Sequence, residues 1–160
     1  MATNKTKQIF SALSGIVALA GVLFFLLKLP EILDESKQPM AFSLEENCDL
    51  NTAPCTASDG NKSISLKITP QKIASLVPLV FSVSLTNIEA QNVVLDIQGK
   101  DMFMGINQIQ LSPSSDGKTW EGVTELAVCT TNSMFWQASI LVYPNATAAP
   151  DKATFEFEAK

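Results

Sequence analysis

The chain has 160 residues, a formal net charge of −5, 46% hydrophobic residues and no histidine. Its acidic balance argues against nucleic acid and anionic lipid headgroups as electrostatic partners. Without histidine there is no Ser-His-Asp or Cys-His machinery, and no phosphate loop, dinucleotide fingerprint or zinc-type cysteine pair occurs, so the sequence reads as a non-enzymatic protein.

Residues 1–8 are a short polar lead carrying Lys5 and Lys7. From Ile9 to Leu27 the chain is apolar and carries no charge, close to the roughly 20 residues a helix needs to cross a bilayer. Flanking lysines place the N-terminus in the cytoplasm under the positive-inside rule. The expectation is a single-pass inner (plasma) membrane protein, with membrane lipid as the partner of residues 9–27. A cleaved signal peptide, cut after Ala18-Leu19-Ala20, is the competing reading. Against it, the run continues through Val22-Leu23-Phe24-Phe25-Leu26-Leu27 with no polar cleavage region.

Residues 28–39 form a linker marked by Pro30 and Pro39, and residues 40–160 are long enough for one modest domain on the extracytoplasmic, or periplasmic, side. All three cysteines, Cys48, Cys55 and Cys129, lie in this part, where an oxidising space favours disulfides. Asp49, Asn51 and Pro54 favour a tight loop that brings Cys48 to Cys55. A local disulfide is therefore expected, with a two-thiolate metal site as the alternative. Cys129 is left as a free thiol, a metal ligand or a partner of either other cysteine.

The domain reads as β. Ile64, Leu66 and Ile68 alternate with polar residues, as do Phe81, Val83 and Leu85, then Val93, Leu95 and Ile97. Ile109 and Leu111 mark a shorter fourth strand. After the Ser114–Lys118 turn come a fifth over residues 119–126 and a sixth over 135–143, with Trp136, Ala138, Ile140 and Val142 on one face. The seventh, residues 153–158, turns Phe155 and Phe157 inward. Seven short alternating segments predict an all-β, immunoglobulin-like antiparallel β-sandwich. If successive strands are antiparallel, the loops 70–77, 99–105 and 127–134 share one end.

Those loops hold Met102-Phe103-Met104-Gly105, Cys129 and Met134, with Trp136 of Met134-Phe135-Trp136 one step down its strand. Strand spacing puts Met102 with Met104, and Met134 with Trp136, on common faces. Thioethers and thiols are soft ligands that favour Cu(I), so Met102, Met104, Met134 and Cys129 are candidate metal ligands. Trp136 is a candidate cation–π cap. The competing readings are core packing for the methionines, since Met fills irregular gaps, and ordinary core for Trp136. Asn61-Lys62-Ser63 and Asn145-Ala146-Thr147 match the glycosylation acceptor pattern.

Residues 101–142 resemble the FixH/YtkA-like family of membrane-anchored extracytoplasmic proteins. The resemblance rests on Met102-x-Met104-Gly105, Leu111, Gly117-x-x-Trp120-x-Gly122, Leu126 and Trp136-x-Ala138-x-Ile140. It implies a small β-sandwich behind one anchor, copper handling, and a copper-receiving membrane protein such as a haem–copper oxidase subunit as partner. The expected function is a membrane-tethered Cu(I) carrier or oxidase-assembly factor. A non-metal interaction module is the alternative, because Met and Trp are also enriched at interfaces. A thiol–disulfide redox protein is weaker, since the Cys48–Cys55 spacing is not Cys-x-x-Cys.

Overall fold

The computed structural model describes residues 19, 21–25, 42–128 and 133–160. The chain divides into two units, residues Met1–Gln38 and Pro39–Lys160. In the first, Leu19 and residues 21–25 are helical; most of the run expected to form the anchor lies outside the described residues. Among the described residues no helix is long and apolar enough to cross a membrane.

The second unit is a sandwich of two antiparallel sheets. The larger contains β1 (Ser43–Leu44), β2 (Cys55–Asp59), β3 (Lys62–Thr69), β4 (Leu79–Thr86), β7 (Ser112–Pro113) and β8 (Thr119–Thr124), in the order β1-β2-β3-β4-β8-β7. The smaller contains β5 (Asn92–Gly99), β6 (Asn107–Gln110), β9 (Met134–Tyr143) and β10 (Asp151–Ala159), in the order β10-β9-β5-β6. Every paired neighbour is antiparallel.

Alternation explains the core. Ile64, Leu66 and Ile68 of β3 and Phe81 and Val83 of β4 are buried against Leu95 and Ile97 of β5, Trp136 and Ile140 of β9, and Phe155 and Phe157 of β10. Phe81 and Phe157 meet across the sheets as a tilted ring pair, centroids 6.5 Å apart. Such a pair contributes roughly 0.5–1.5 kcal/mol beyond its buried area.

Ten strands stand where the alternation predicted about seven. β1 and β2 were missed together and form a hairpin with β3, which leaves the direction of every later strand unchanged. The expected fourth strand is split. β6 pairs with β5 in one sheet, and after the buried Leu111 the chain continues as β7 against β8 in the other. Leu111 still donates its N–H to Val93 O at 2.9 Å. Gly122 lies close under this crossing: a Cβ there would stand 2.6 Å from Leu111 Cδ2 and 2.9 Å from Ile109 Cδ1, so both side-chain ends would have to give way. The fifth strand stops at Thr124, and Glu125–Val128 is coil.

Register fixes which loops share an end. Thr69 pairs with Val80, Leu79 with Thr124, Gly99 with Trp136 and Ala159 with Met134. The segments 70–78, 100–106 and 125–128 and the C-terminus therefore lie at one end, joined by residues 45–54 between β1 and β2. The turns 60–61, 87–91, 114–118 and 144–150 lie at the other. Phe42, which donates to Lys152 O at 3.2 Å, brings the chain into the domain at that second end.

Candidate functional site

Four of the five residues expected to hold or cap a metal, Met102, Met104, Met134 and Trp136, converge on the first end. β5 finishes at Gly99, directly opposite Trp136. The chain then folds back, so that a Cβ placed on Gly99 would run into the backbone carbonyl of Met102 and stand 3.1 Å from both Met104 Cγ and Met134 Cε. Each of those carbons is bonded to a sulfur. The absence of a side chain at Gly99 thus makes the space in which two thioethers, 30 residues apart in sequence, meet one point of backbone.

Met134 is 6% exposed and opens β9, with Trp136 beside it on the inner face. That shared face agrees with the sequence reading. The same expectation for Met102 and Met104 is corrected. Residues 100–106 are not a strand, and Gly105 has φ 87°, a conformation that turns the chain out of strand geometry. Met104 is half-buried and packs against the core, whereas Met102 is 49% exposed and meets Gly99 through its carbonyl. Cys129 lies outside the described residues.

Trp136 is 2% exposed and stands in the core across from Gly99. Its neighbours along the inner face of β9 are Met134 and Ala138.

Cys48 and Cys55 are joined in a disulfide, their Cα atoms 5.4 Å apart, as the loop composition predicted. Asp49 organises the loop between them. Its carbonyl accepts from Thr52 N at 3.0 Å, Ala53 N at 3.1 Å and Thr52 Oγ1 at 2.9 Å, and its Oδ1 accepts from Asn51 N at 3.0 Å. Asn51 Nδ2 donates to Glu158 O at 3.2 Å, tying the loop to the end of β10. Cys55 is buried and Cys48 lies on a surface cleft of about 530 Å³ that also takes in Lys72, Phe135, Glu156 and Lys160.

Sequence reasoning did not reach Gly99, whose role depends on its closeness to Met102, Met104 and Met134 in the folded chain. Among the described residues no group of three or more His, Cys, Asp or Glu side chains is placed to hold a metal ion. A site here would be built from sulfur of methionine, with Met104 and Met134 as its fixed members and Met102 as the accessible one.

Comparison with known proteins adds little. No family model matches the chain. No curated protein matches it. Among solved structures, the crystal structure of an engineered protein aligns with 59% of this chain and 20% of its own length, at 14% identity and a TM-score of 0.38. The chain thus spans about a fifth of that protein, and a likeness at this level carries no argument about fold or function.

Proposed function

We propose that this chain is a membrane-tethered, extracytoplasmic Cu(I)-binding protein that carries copper to, or assists assembly of, a copper-receiving membrane protein such as an oxidase subunit. The proposed architecture is an immunoglobulin-like sandwich behind one membrane helix over residues 9–27. The observation that supports the reading best is the meeting of Met104 and Met134 at Gly99. Two thioethers brought to one point of backbone, one from the 100–106 loop and one from the start of β9, are pre-positioned soft donors. Met102 lies two residues away and is open to solvent, which suits a donor that engages or releases the ion. Cys129, four residues after the β8–β9 connection begins, is a further candidate ligand. The resemblance to the FixH/YtkA-like family points the same way.

Thioethers carry no proton in the working range, so binding at such a site releases few protons and varies little between mildly acidic and neutral pH. A thiolate-dominated site weakens clearly on acidification. The test is Cu(I) titration of residues 39–160 against a competing chelator. The native domain is compared with Met102→Leu/Met104→Leu and with Met104→Leu/Met134→Leu, swaps that nearly preserve apolar volume. A tenfold or greater loss of affinity in both supports the site. Unchanged affinity in both removes the methionines from it and leaves the interaction module, favoured by the exposed apolar side chains at the same end, as the better reading.

A further inference from the structure

At the opposite end of the domain from the thioethers, the outer face of the smaller sheet carries a separate cleft. Strand register builds it. Asn92 and Val94 alternate with the buried Val93 and Leu95 on β5 and so point outward. Asn92 is paired with Tyr143 of β9, and Val94 with Gln110 of β6, so the two pairs stand side by side as cross-strand neighbours. The adjoining turns add Asn145 and Gln91, whose N–H donates to Tyr143 O at 2.8 Å. The cleft holds about 510 Å³, within the roughly 300–1,000 Å³ range of small-molecule sites.

Its chemistry is uncharged. The described residues that line it supply one phenol ring, the aliphatic Val94 and Ala146 and four carboxamides, with no acid or base among them. Asn92 Oδ1 is buried and has no hydrogen-bond partner among the described residues. Buried polar atoms in folded proteins are nearly always paired. Rotation about χ2, a soft torsion for asparagine, turns this oxygen toward a donor in the cleft. Asn145 commits its Oδ1 to Thr147 N, Thr147 Oγ1 and Ala148 N, at 3.0, 3.0 and 2.9 Å, which leaves Nδ2 as its remaining polar group.

This lining selects among ligand classes. A phosphate or carboxylate is held best by charged donors and a hard cation by carboxylates, and neither kind of group lines the cleft. A polyproline segment docks in an aromatic-lined groove, and Tyr143 is the one ring among the described residues here. An extended peptide cannot pair along the floor, because β5 and β9 are interior strands of their sheet. A carboxamide offers one acceptor and two donors, which matches hydroxyls that both accept and donate. A phenol ring offers an apolar face beside a polar tip. A neutral ring with several hydroxyls on an apolar C–H skeleton answers both. We propose that this cleft binds a neutral saccharide, with Tyr143 and Val94 packing on the apolar face of the sugar ring and Gln91, Asn92 and Gln110 hydrogen-bonding its hydroxyls. The proposal is independent of copper binding, since the two sites lie at opposite ends of the domain.

The test uses residues 39–160, a unit with its own buried core. Maltotriose and triacetylchitotriose, both uncharged, are titrated separately into isotope-labelled domain without copper, and the side-chain amide signals of Gln91, Asn92 and Gln110 are followed by NMR. At least one sugar should move those signals saturably while the methionine methyls stay in place. Gln91→Ala/Gln110→Ala, at two exposed positions, and Tyr143→Ala should each weaken binding tenfold or more. Tyr143→Phe, which keeps the ring, should lose far less. A thermal melt checks that each variant folds, and the exposed double variant decides the matter if Tyr143→Ala does not. Amide signals that respond to neither trisaccharide overturn the proposal. Binding that the variants leave unchanged overturns it too, because the sugar then sits elsewhere. An uncharged polyproline peptide that moves the same signals at lower concentration than either sugar assigns the cleft to a peptide instead.

Discussion

Replacing Gly99 by alanine tests whether the fold-back at the end of β5 is what holds the two thioethers together. The new Cβ would collide with the Met102 carbonyl and crowd Met104 Cγ and Met134 Cε, each at 3.1 Å. The two side chains can swing aside, but the carbonyl belongs to the loop backbone and moves only if residues 100–104 shift. Forcing extra volume into a packed site typically costs about 1–3 kcal/mol. Loss of glycine's unfolded-state freedom returns roughly 0.4–1 kcal/mol where the native backbone tolerates a side chain. A net destabilisation of about 2 kcal/mol follows, near the upper part of the overpacking range because a backbone atom is involved. For a domain of roughly 120 residues the unfolding entropy is about 0.25 kcal/mol/K, so the melting temperature should fall by about 8 °C. Thermal unfolding followed by the fluorescence of Trp120 and Trp136 measures it. Adding Met134→Ala should not restore the loss, since the carbonyl contact remains. A Gly99→Ala domain that melts within a degree of the native one would refute the reasoning.

Other expectations follow from the same structure. Reducing Cys48–Cys55 should cost about 2.5 kcal/mol, the loop-entropy value for a closed loop of about eight residues; equal denaturant midpoints with and without reductant would contradict it. A C-terminal alkaline phosphatase fusion of the full chain should be active and a cytoplasm-dependent fluorescent fusion dark, whereas the reverse pair would sink the proposed topology. Asp116 accepts from Thr119 N and Lys118 N at 2.9 Å and Thr119 Oγ1 at 2.8 Å, which holds its carboxyl below the usual value. Its stabilising contribution is present above the unfolded-state pKa and is lost as pH falls through the lower folded-state pKa. Asp116→Asn should therefore flatten the acid limb of the stability curve, and an unchanged limb would exclude the role.

The strongest strands were legible because large apolar residues alternate along them: β3, β4, β5, β9 and β10 all lie where Ile, Leu, Val, Phe and Trp recur every second residue. β2 follows the same rule with Cys55 and Ala57 turned inward, but small side chains between Thr, Ser and Asp give a weak signal. β1 and β7 have two residues each, and pairing with a neighbour rather than any local pattern defines them. Strand direction survived these omissions, so the clustering of the loops was predicted correctly. What failed was the orientation of Met102 and Met104. A two-residue period applies only to extended backbone, and Gly105 with its positive φ breaks that condition. The importance of Gly99 depends on a contact with residues three to five positions later and with Met134 on another strand, a relation that no local pattern expresses.

The proposed function requires that one Cu(I) be bound by the thioethers of Met104 and Met134. The most direct measurement is NMR of methyl-labelled methionine in residues 39–160 during Cu(I) addition. The four methyl signals, from Met40, Met102, Met104 and Met134, are assigned by single substitution to leucine. The Met104 and Met134 methyls should shift together and saturate at one equivalent, with Met40 unmoved. Signals from Met104 and Met134 that stay in place while copper binds elsewhere, or does not bind, would contradict it.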